Sequence, residues 1–560
     1  MKTKGTILKR TKDGKVYYYH KYLLDGVQKN DIIPENDAYR LAFECYFKGN
    51  DRSAFLSHEF QLDVAFGQNL RALAKPYEEF RKRFCYEDVT DFLTKPYVGK
   101  VLILYGLRRT GKTTLMFQSI NDFSLKDFAK AAYVKCSSGK TIYHLFEDLK
   151  YLTENGFSYI FIDEVTFLED FASLSSTISD IYGLRAKIVL TGTDSLGFLI
   201  ASHHELYDRC KMVHTTYIPF REFREVLGED SIDKFIEYGG TMSMEGIDYN
   251  KQIQKGHYRA NEYVDSSIIH NIVHSLESVD EGKFFFNLFD LHQRHELENV
   301  INRIIEDSNH RFAISVIEAD FKSHDYGALK KLLSMPRNYE RFHDVLDGVD
   351  EKKLTEDLMD ALNIINKEKQ THKIDDTVLR ELEQYLLDLD VLASIDEASY
   401  PTFETWERMI FTQPGLRYSQ AKALVDILLR DPKLQQYDVK LLSALKEKLL
   451  SDVKGRMLED LVIYETSRKR PHAFKFYFGV KGEYDMATYD EERMESEIFE
   501  IKYSATIDPG QYKYLVDEDL RKIFEAKYYP IAHRYVLYRG ENTTRDGVEY
   551  RNVEDYLAHL

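Results

Sequence analysis

Cysteine is scarce in this chain. Four occur in 560 residues, Cys45, Cys85, Cys136 and Cys210, and none belongs to a C-x-x-C pair. Such spacing disfavours a disulfide framework or a cysteine zinc site and suits a reducing cytoplasm. Long apolar runs are also missing. No stretch approaches the roughly 18 apolar residues of a membrane span, and the opening MKTKGTILKRTKDGK lacks the apolar core of a secretory leader. The expectation is a cytoplasmic protein with no membrane partner. Positive charge is in deficit, with 76 Lys and Arg against 93 Asp and Glu, a net −17. That balance argues against coating nucleic acid or anionic membrane with the whole surface, and leaves room for a local basic groove.

Aromatic residues are plentiful, at 13% of the chain with 40 Tyr and 34 Phe, so the chain is globular. Its length corresponds to roughly three or four domains. The most informative stretch is Val101 to Gln118, VLILYGLRRTGKTTLMFQ. Gly106, four residues, then Gly111, Lys112 and Thr113 reproduce the phosphate-loop pattern G-x4-G-K-[ST]. Five apolar residues precede Gly106 and a helical pattern follows from Thr114. A strand, a loop of backbone N–H groups and a helix N-terminus together cradle a β-phosphate. Lys112 is expected to reach the β- and γ-phosphates and the Thr113 hydroxyl to bind Mg²⁺. Gly106, Arg109, Thr110, Gly111, Lys112, Thr113 and Thr114 form the expected nucleotide-binding set.

Around that loop, strand and helix patterns alternate, which predicts a P-loop NTPase parallel sheet with helices on both faces. Expected strands are Val101–Tyr105, Ala131–Cys136, Tyr159–Ile162, Lys187–Leu190 and a last one near Met212–Ile218. The third ends in Asp163 and Glu164, at the carboxyl edge where open α/β sheets bind ligands. Asp163 fits the acid that holds Mg²⁺ through water, and Glu164 the group that polarises the attacking water. An extra strand between the two motifs suits P-loop proteins with that catalytic Glu. The fourth strand ends in LTGTDS, where Thr193 and Asp194 are candidates to sense the γ-phosphate, or cap the next helix. Arg209 is placed to contact phosphate in cis or in trans, or is a surface arginine.

Residues 1–33 read as a small β-meander with eight Lys or Arg and two Asp in its first 30 residues, beside Tyr17, Tyr18, Tyr19, His20 and Tyr22. Basic residues between aromatics suit single-stranded nucleic acid; packing of the tyrosines on the next helices is the alternative. Residues 34–94 read as a helical linker region, 95–230 as the ATPase core and 231–450 as a helical region. In that region the pair His270 and His274, like His292, His295 and Glu296, reads as surface or packing residues.

Residues 451–560 carry a second constellation. A helix spans Gly455–Arg470, a strand lies near Phe474–Phe478, and strands begin at Glu483 and Glu497. Alternation puts Glu500 and Lys502 on one strand face, and Glu483 and Asp485 on one face of its neighbour. If the charges align, Asp485, Glu500 and Lys502 converge on a divalent-metal site with a lysine beside it. One solvated charged face would give the same alternation.

The motifs GLRRTGKTTL, FIDEV, LTGTDS, YDR, PFREF and YGG resemble, in order, bacterial and archaeal AAA-like ATPases related to the STAND class. The pair Arg108 and Arg109 is typical of that P-loop. The resemblance implies ATP and Mg²⁺ as cofactors; no guanine-reading N/T-K-x-D follows the core. It implies a winged-helix-like middle region, with Glu381–Ser394 as a helix and strand of that module. The last hundred residues resemble a PD-(D/E)XK nuclease-like α/β domain. Carried over, Asp485 is the motif aspartate, Glu500 the second acid, Lys502 the lysine and Glu459 the helical acid, with Glu483 assisting and Gln511 on the next helix. The implied metal ligands are Thr113 and Asp163 in the core, and Glu459, Asp485 and Glu500 here. Three functions follow: an ATPase coupled to a DNA-directed nuclease in defence against foreign DNA, a regulator that binds nucleic acid or protein without cutting, or a homo-oligomerising scaffold.

Overall fold

The computed structural model describes residues 5–13, 15–24, 26–49, 51–192, 198, 206, 208–242, 268, 286–294, 296–322, 351–370 and 375–560. Thr193, Asp194, His270, His274 and His295, and the side chain of His292, lie outside the described residues. The chain divides into two compact units, Met1–Thr216 with Ser266–Gln293, and Tyr217–Asp265 with Arg294–Leu560.

The first unit opens with an antiparallel sheet of β1 (Gly5–Lys12), β2 (Lys15–Leu24) and β3 (Val27–Ile33). Alternation along β1 and β2 turns Ile7, Tyr18, His20 and Tyr22 inward. Tyr18 packs against Tyr39 of helix α1 (Glu35–Tyr46), ring centroids 6.0 Å apart. The stretch expected to be a helical linker also holds a strand, β4 (Asp63–Phe66), as an antiparallel edge of the main sheet. Four residues are too few to show a period of their own. The buried Asp148 fixes the turn before β4 by accepting from the Gln61 and Leu62 amides, both at 2.9 Å.

The main sheet is β4-β6-β7-β8-β5-β9 in spatial order, with β5 Val101–Tyr105, β6 Ala131–Lys135, β7 Tyr159–Asp163, β8 Lys187–Gly192 and β9 Cys210–His214. All pairings but the β4 edge are parallel. Parallel strands covered on both sides need apolar side chains on both faces. Accordingly Val101, Ile103, Ile160, Ile162 and Ile188 enter one core, and Leu102, Leu104, Phe161 and Val189 enter another. The second core is shared with Ile7, Tyr18, Ala38 and Leu70, so the meander and the helices after it pack on the sheet. The fold is the expected P-loop α/β fold. One strand differs: β9 stops at His214 rather than Ile218, because Thr215 and Thr216 turn to bond the phosphate loop.

The second unit holds an eight-stranded sheet, ordered β11-β10-β12-β13-β14-β15-β17-β16. Its strands are β10 Leu392–Ser399, β11 Glu404–Phe411, β12 Ala473–Tyr477, β13 Glu483–Asp490, β14 Glu495–Ile501, β15 Ile531–Tyr538, β16 Thr543–Arg545 and β17 Val548–Asn552. Glu381–Ser394 is indeed helix then strand, but β10 does not stand in a separate module. It pairs in parallel with β12 and joins the C-terminal sheet. Helix α2 (Val439–Ser467), 29 residues long, begins sixteen residues before the expected Gly455. Asp460 anchors it, accepting from Arg408 at 2.6 Å and Arg417 at 2.7 Å.

Glu465, further along α2, is fully enclosed and accepts the Phe220 amide at 2.7 Å. Burial pushes its carboxyl up to about 8, although the amide and Tyr217 hydroxyl oppose the shift. An unfolded Glu loses its proton near pH 4.3, so this raised value stabilises the fold below that pH and loses its contribution as pH rises toward 8. Glu465→Gln is expected to be near neutral at pH 5 and stabilising by about 2–4 kcal/mol at pH 8. Urea denaturation at the two pH values measures the difference; an equal effect at both would contradict the assignment.

Candidate functional site

The first site lies at the carboxyl edge of β5. Gly106 has φ +140°, and a Cβ there would lie 2.6 Å from Thr215 Oγ1 and 2.9 Å from the Thr216 amide. Only glycine fits that approach. Gly111 (φ 91°) and Arg109 (φ 65°) complete the turn before the helix Lys112–Asn121. The Leu107 amide donates to Thr216 Oγ1 at 3.1 Å, and the Thr110 hydroxyl donates to Leu107 O at 2.7 Å. Arg83, buried, donates to the carbonyls of Thr110 (2.6 Å) and Thr215 (2.7 Å), tying loop to strand end. Arg83, Thr215 and Thr216 carry no motif, and sequence reasoning missed them.

Lys112 is buried and donates to the carbonyls of Gly106 (2.7 Å) and Leu107 (2.8 Å). Burial pushes its ammonium down to about 8, against the opposing charges of Glu164 and Asp163. Asp163, at the end of β7, accepts from the Tyr133 hydroxyl at 2.7 Å, from Thr191 Oγ1, and from Thr113 Oγ1 at 3.3 Å. A loop hydroxyl beside a held carboxylate suits a hard divalent cation bound by oxygen and water. The residues present therefore fit Mg²⁺. Tyr133 was not foreseen from sequence; its place one strand over, at the same edge, is the available signal. Glu164 follows with φ 56°, half-buried, its amide 3.4 Å from Thr191 Oγ1. Thr114 sits half-buried on the first turn of the helix.

Arg209 is not brought to this site within the chain. It precedes β9, where Cys210 pairs with Val101, at the amino edge of the sheet. The phosphate loop leaves the opposite edge, about 16 Å away along a five-residue strand. Arg209 instead pairs with Asp180 at 2.8 Å. That correction follows from register, which a lone sequence does not display.

The second site, in the other unit, lies where β13 and β14 part. Their ladder runs as far as Met486 and Phe499. Beyond it the Asp485 carboxylate takes the Ile501 amide at 2.8 Å. Lys502, just past β14, donates to Asp485 at 3.0 Å and to Glu500 at 2.7 Å. Asp485, Glu500 and Lys502 therefore converge. Glu459 and Glu483 join them through a residue absent from the sequence reading, Lys475. Fully enclosed on β12, its ammonium lies 2.7 Å from Glu483, 3.2 Å from Glu459 and 3.8 Å from Asp485. A register shift between Phe474 and Phe476 sets Lys475 opposite Asp485 and Met486, and bulges of this kind re-aim side chains. Arg456 adds a second cation to Glu459 at 2.5 Å. Gln511 stays outside, bonding Thr506 O and the Asp508 amide in its own turn.

The electrostatics divide the acids. Burial and then the Asp485 charge push Glu500 well above the carboxylate range. Burial acts the same way on Asp485, but Lys502 and Lys475 override it and hold that carboxyl low. The pair is thus driven apart, Asp485 toward its ionised form and Glu500 toward its neutral one. Glu459, Glu483 and Asp485 each place a carboxylate oxygen within 4.8 Å of the others, yet Lys475 occupies the space they share. Glu500 Oε1 is buried without a hydrogen-bond partner. Lys475 thus neutralises the Glu459–Glu483 side and Lys502 the Asp485–Glu500 side, where Glu500 Oε1 is the oxygen left for a divalent cation.

Residues 98–224 match the model of the AAA domain family. That match takes in the phosphate loop and the acid pair Asp163–Glu164, the features of a P-loop nucleotide site. No curated protein matches the chain. Among solved structures it resembles a Walker-type ATPase of Pyrococcus abyssi, at 13% identity over 61% of this chain and 95% of that one, TM-score 0.28. It also resembles S. cerevisiae Hsp104 in its casein complex, at 14% identity over 37% of this chain and 40% of that chain, TM-score 0.23. For the Hsp104–ADP complex the values are 10%, 73% and 58%, TM-score 0.23.

Removing Lys475 strands buried carboxylates. Lys475→Ala is expected to lower stability by about 3–5 kcal/mol, with part of the loss restored by millimolar Mn²⁺. Chemical denaturation of the full chain with and without Mn²⁺ checks both effects.

Proposed function

We propose that this protein hydrolyses ATP at the loop Gly106–Thr114 and uses the nucleotide cycle to control a DNA-directed, Mg²⁺-dependent C-terminal domain. The observation that carries the ATPase part is the joint placement of Lys112, Thr113 and Asp163 around one loop, with Glu164 next in chain. When ATP enters, the Lys112 ammonium leaves the carbonyls of Gly106 and Leu107 for the β- and γ-phosphates. Thr113 and Asp163 would hold Mg²⁺, whose charge would offset that of the phosphate oxygens. Glu164 takes a proton from water as the water oxygen bonds Pγ and the bond from Pγ to the bridging oxygen breaks. Thr193 and Asp194 remain the proposed γ-phosphate sensors. Arg209, remote in cis, is available only to a neighbouring copy, which suits a homo-oligomer.

Lys112→Ala is expected to weaken nucleotide binding at least tenfold. Glu164→Gln should keep binding and lower turnover by a hundredfold or more. Fluorescent ATP titration and phosphate release separate the two effects; unchanged turnover in Glu164→Gln removes Glu164 as the base.

For the C-terminal domain, the convergence of Asp485, Glu500 and Lys502 supports a nuclease-like site, in line with defence against foreign DNA. Lys502 would steady the attacking water or a phosphate, and Asp485 and Glu500 would hold the cation. Lys475 favours a second reading, in which the domain binds DNA or protein without cutting, since one half of the acid cluster is already neutralised. Incubation of linear and circular DNA with Mg²⁺ and ATP decides between them. Cleavage by the wild type that Lys502→Ala loses supports the nuclease, and DNA left equally intact by both proteins supports the binding module.

A further inference from the structure

We infer that the outer face of the N-terminal sheet is a binding surface for single-stranded nucleic acid. Pairing of β1 with β2 sets Arg10 opposite Tyr17, Leu8 opposite Tyr19, Thr6 opposite Lys21 and Lys12 opposite Lys15. Residues directly opposite share a face. Arg10, Lys12, Lys15 and Lys21 therefore lie on the same side as Tyr17 and Tyr19, and β3 adds Asn30 and Ile32 beside them. The described strand residues of this face include no Asp or Glu. In a chain of net charge −17, four cations on one small acid-free face are a local reversal of sign, complementary to a phosphate backbone.

The opposite face is the one that packs on the rest of the unit. Ile7, Tyr18, His20 and Tyr22 are buried, and Tyr18 packs on α1. The alternating period then leaves Tyr17 and Tyr19 half-buried and outward, with the Arg10 guanidinium 5.9 Å from the Tyr19 ring centroid. Successive outward residues on a strand stand about 6.6 Å apart, so each ring can take a base of an extended strand. Cations between the rings meet the phosphates, and stacking on rings does not depend on base identity. Exposed Ile32 and Leu23, at 67% and 70%, extend the apolar part of the platform. This surface is independent of the nuclease-like site and does not require it to cut.

Fluorescence anisotropy of the full chain with labelled dT20, with a U20 RNA and with a 20-base-pair duplex tests the surface at several salt concentrations. Wild type is expected to bind the single strands more tightly than the duplex. Tyr17→Ala with Tyr19→Ala should weaken single-strand binding at least tenfold. Arg10→Ala with Lys21→Ala should reduce the log–log salt slope by about 1.4, or ~0.7 per phosphate contact. Binding is measured in EDTA, without the divalent cation that the nuclease-like site needs, so failure here is distinct from failure of the nuclease reading. Retained fluorescent-ATP affinity shows that each variant is folded. The inference is overturned if wild type binds no single strand at low salt, if the duplex binds as tightly with no loss in the tyrosine variant, or if both sheet variants bind as wild type does. A preference between dT20 and U20 identifies DNA or RNA as the ligand, and equal binding identifies backbone and stacking alone; each supports the surface.

Discussion

One close approach governs the nucleotide half of this protein: Gly106 against the backbone of Thr216. A side chain there would collide with the Thr215 hydroxyl and the Thr216 amide. The contact exists because β9 runs parallel beside β5 and ends level with it, His214 opposite Tyr105. From that point Thr215 and Thr216 fold over the start of the loop, and Arg83 ties the Thr110 and Thr215 carbonyls together. The loop is thus shaped by a neighbouring strand and a buried arginine before any nucleotide arrives, so ordering it costs little at binding.

The other unit faces the opposite problem, too many like charges in too little water. Four carboxylates, Glu459, Glu483, Asp485 and Glu500, meet around Lys475 and Lys502. Burying them is tolerable because the lysines lie within bonding distance and because burial and the Asp485 charge favour the neutral form of Glu500. The arrangement is divided, with Lys475 holding one side and Lys502 the other.

Much of the first site was legible in the chain itself. Gly106, Gly111, Lys112 and Thr113 sit at spacings that only a phosphate loop needs, and Asp163 and Glu164 end an apolar run too short for a helix. The alternation in the strands that begin at Glu483 and Glu497 put Asp485 on one strand face and Glu500 with Lys502 on another, and left open whether the three meet. What the chain concealed were partners distant in sequence. Arg83 lies 27 residues before Thr110 and 132 before Thr215, with no periodicity to link them. Lys475 reads as an ordinary strand residue until a bulge sets it opposite Asp485. Arg209 reads as a phosphate contact until the register of β9 puts it at the far edge.

Local spacing determined the phosphate loop, the acid pair, the strand–helix alternation and the two faces of the N-terminal meander. Each depends on backbone geometry within a few residues, and that geometry has a fixed period. Tertiary structure alone decided which strands lie side by side, where β10 finds its partner, and which cation sits among the acids. Those outcomes depend on strand order, register and enclosure, which arise from contacts between segments and leave no local period to read.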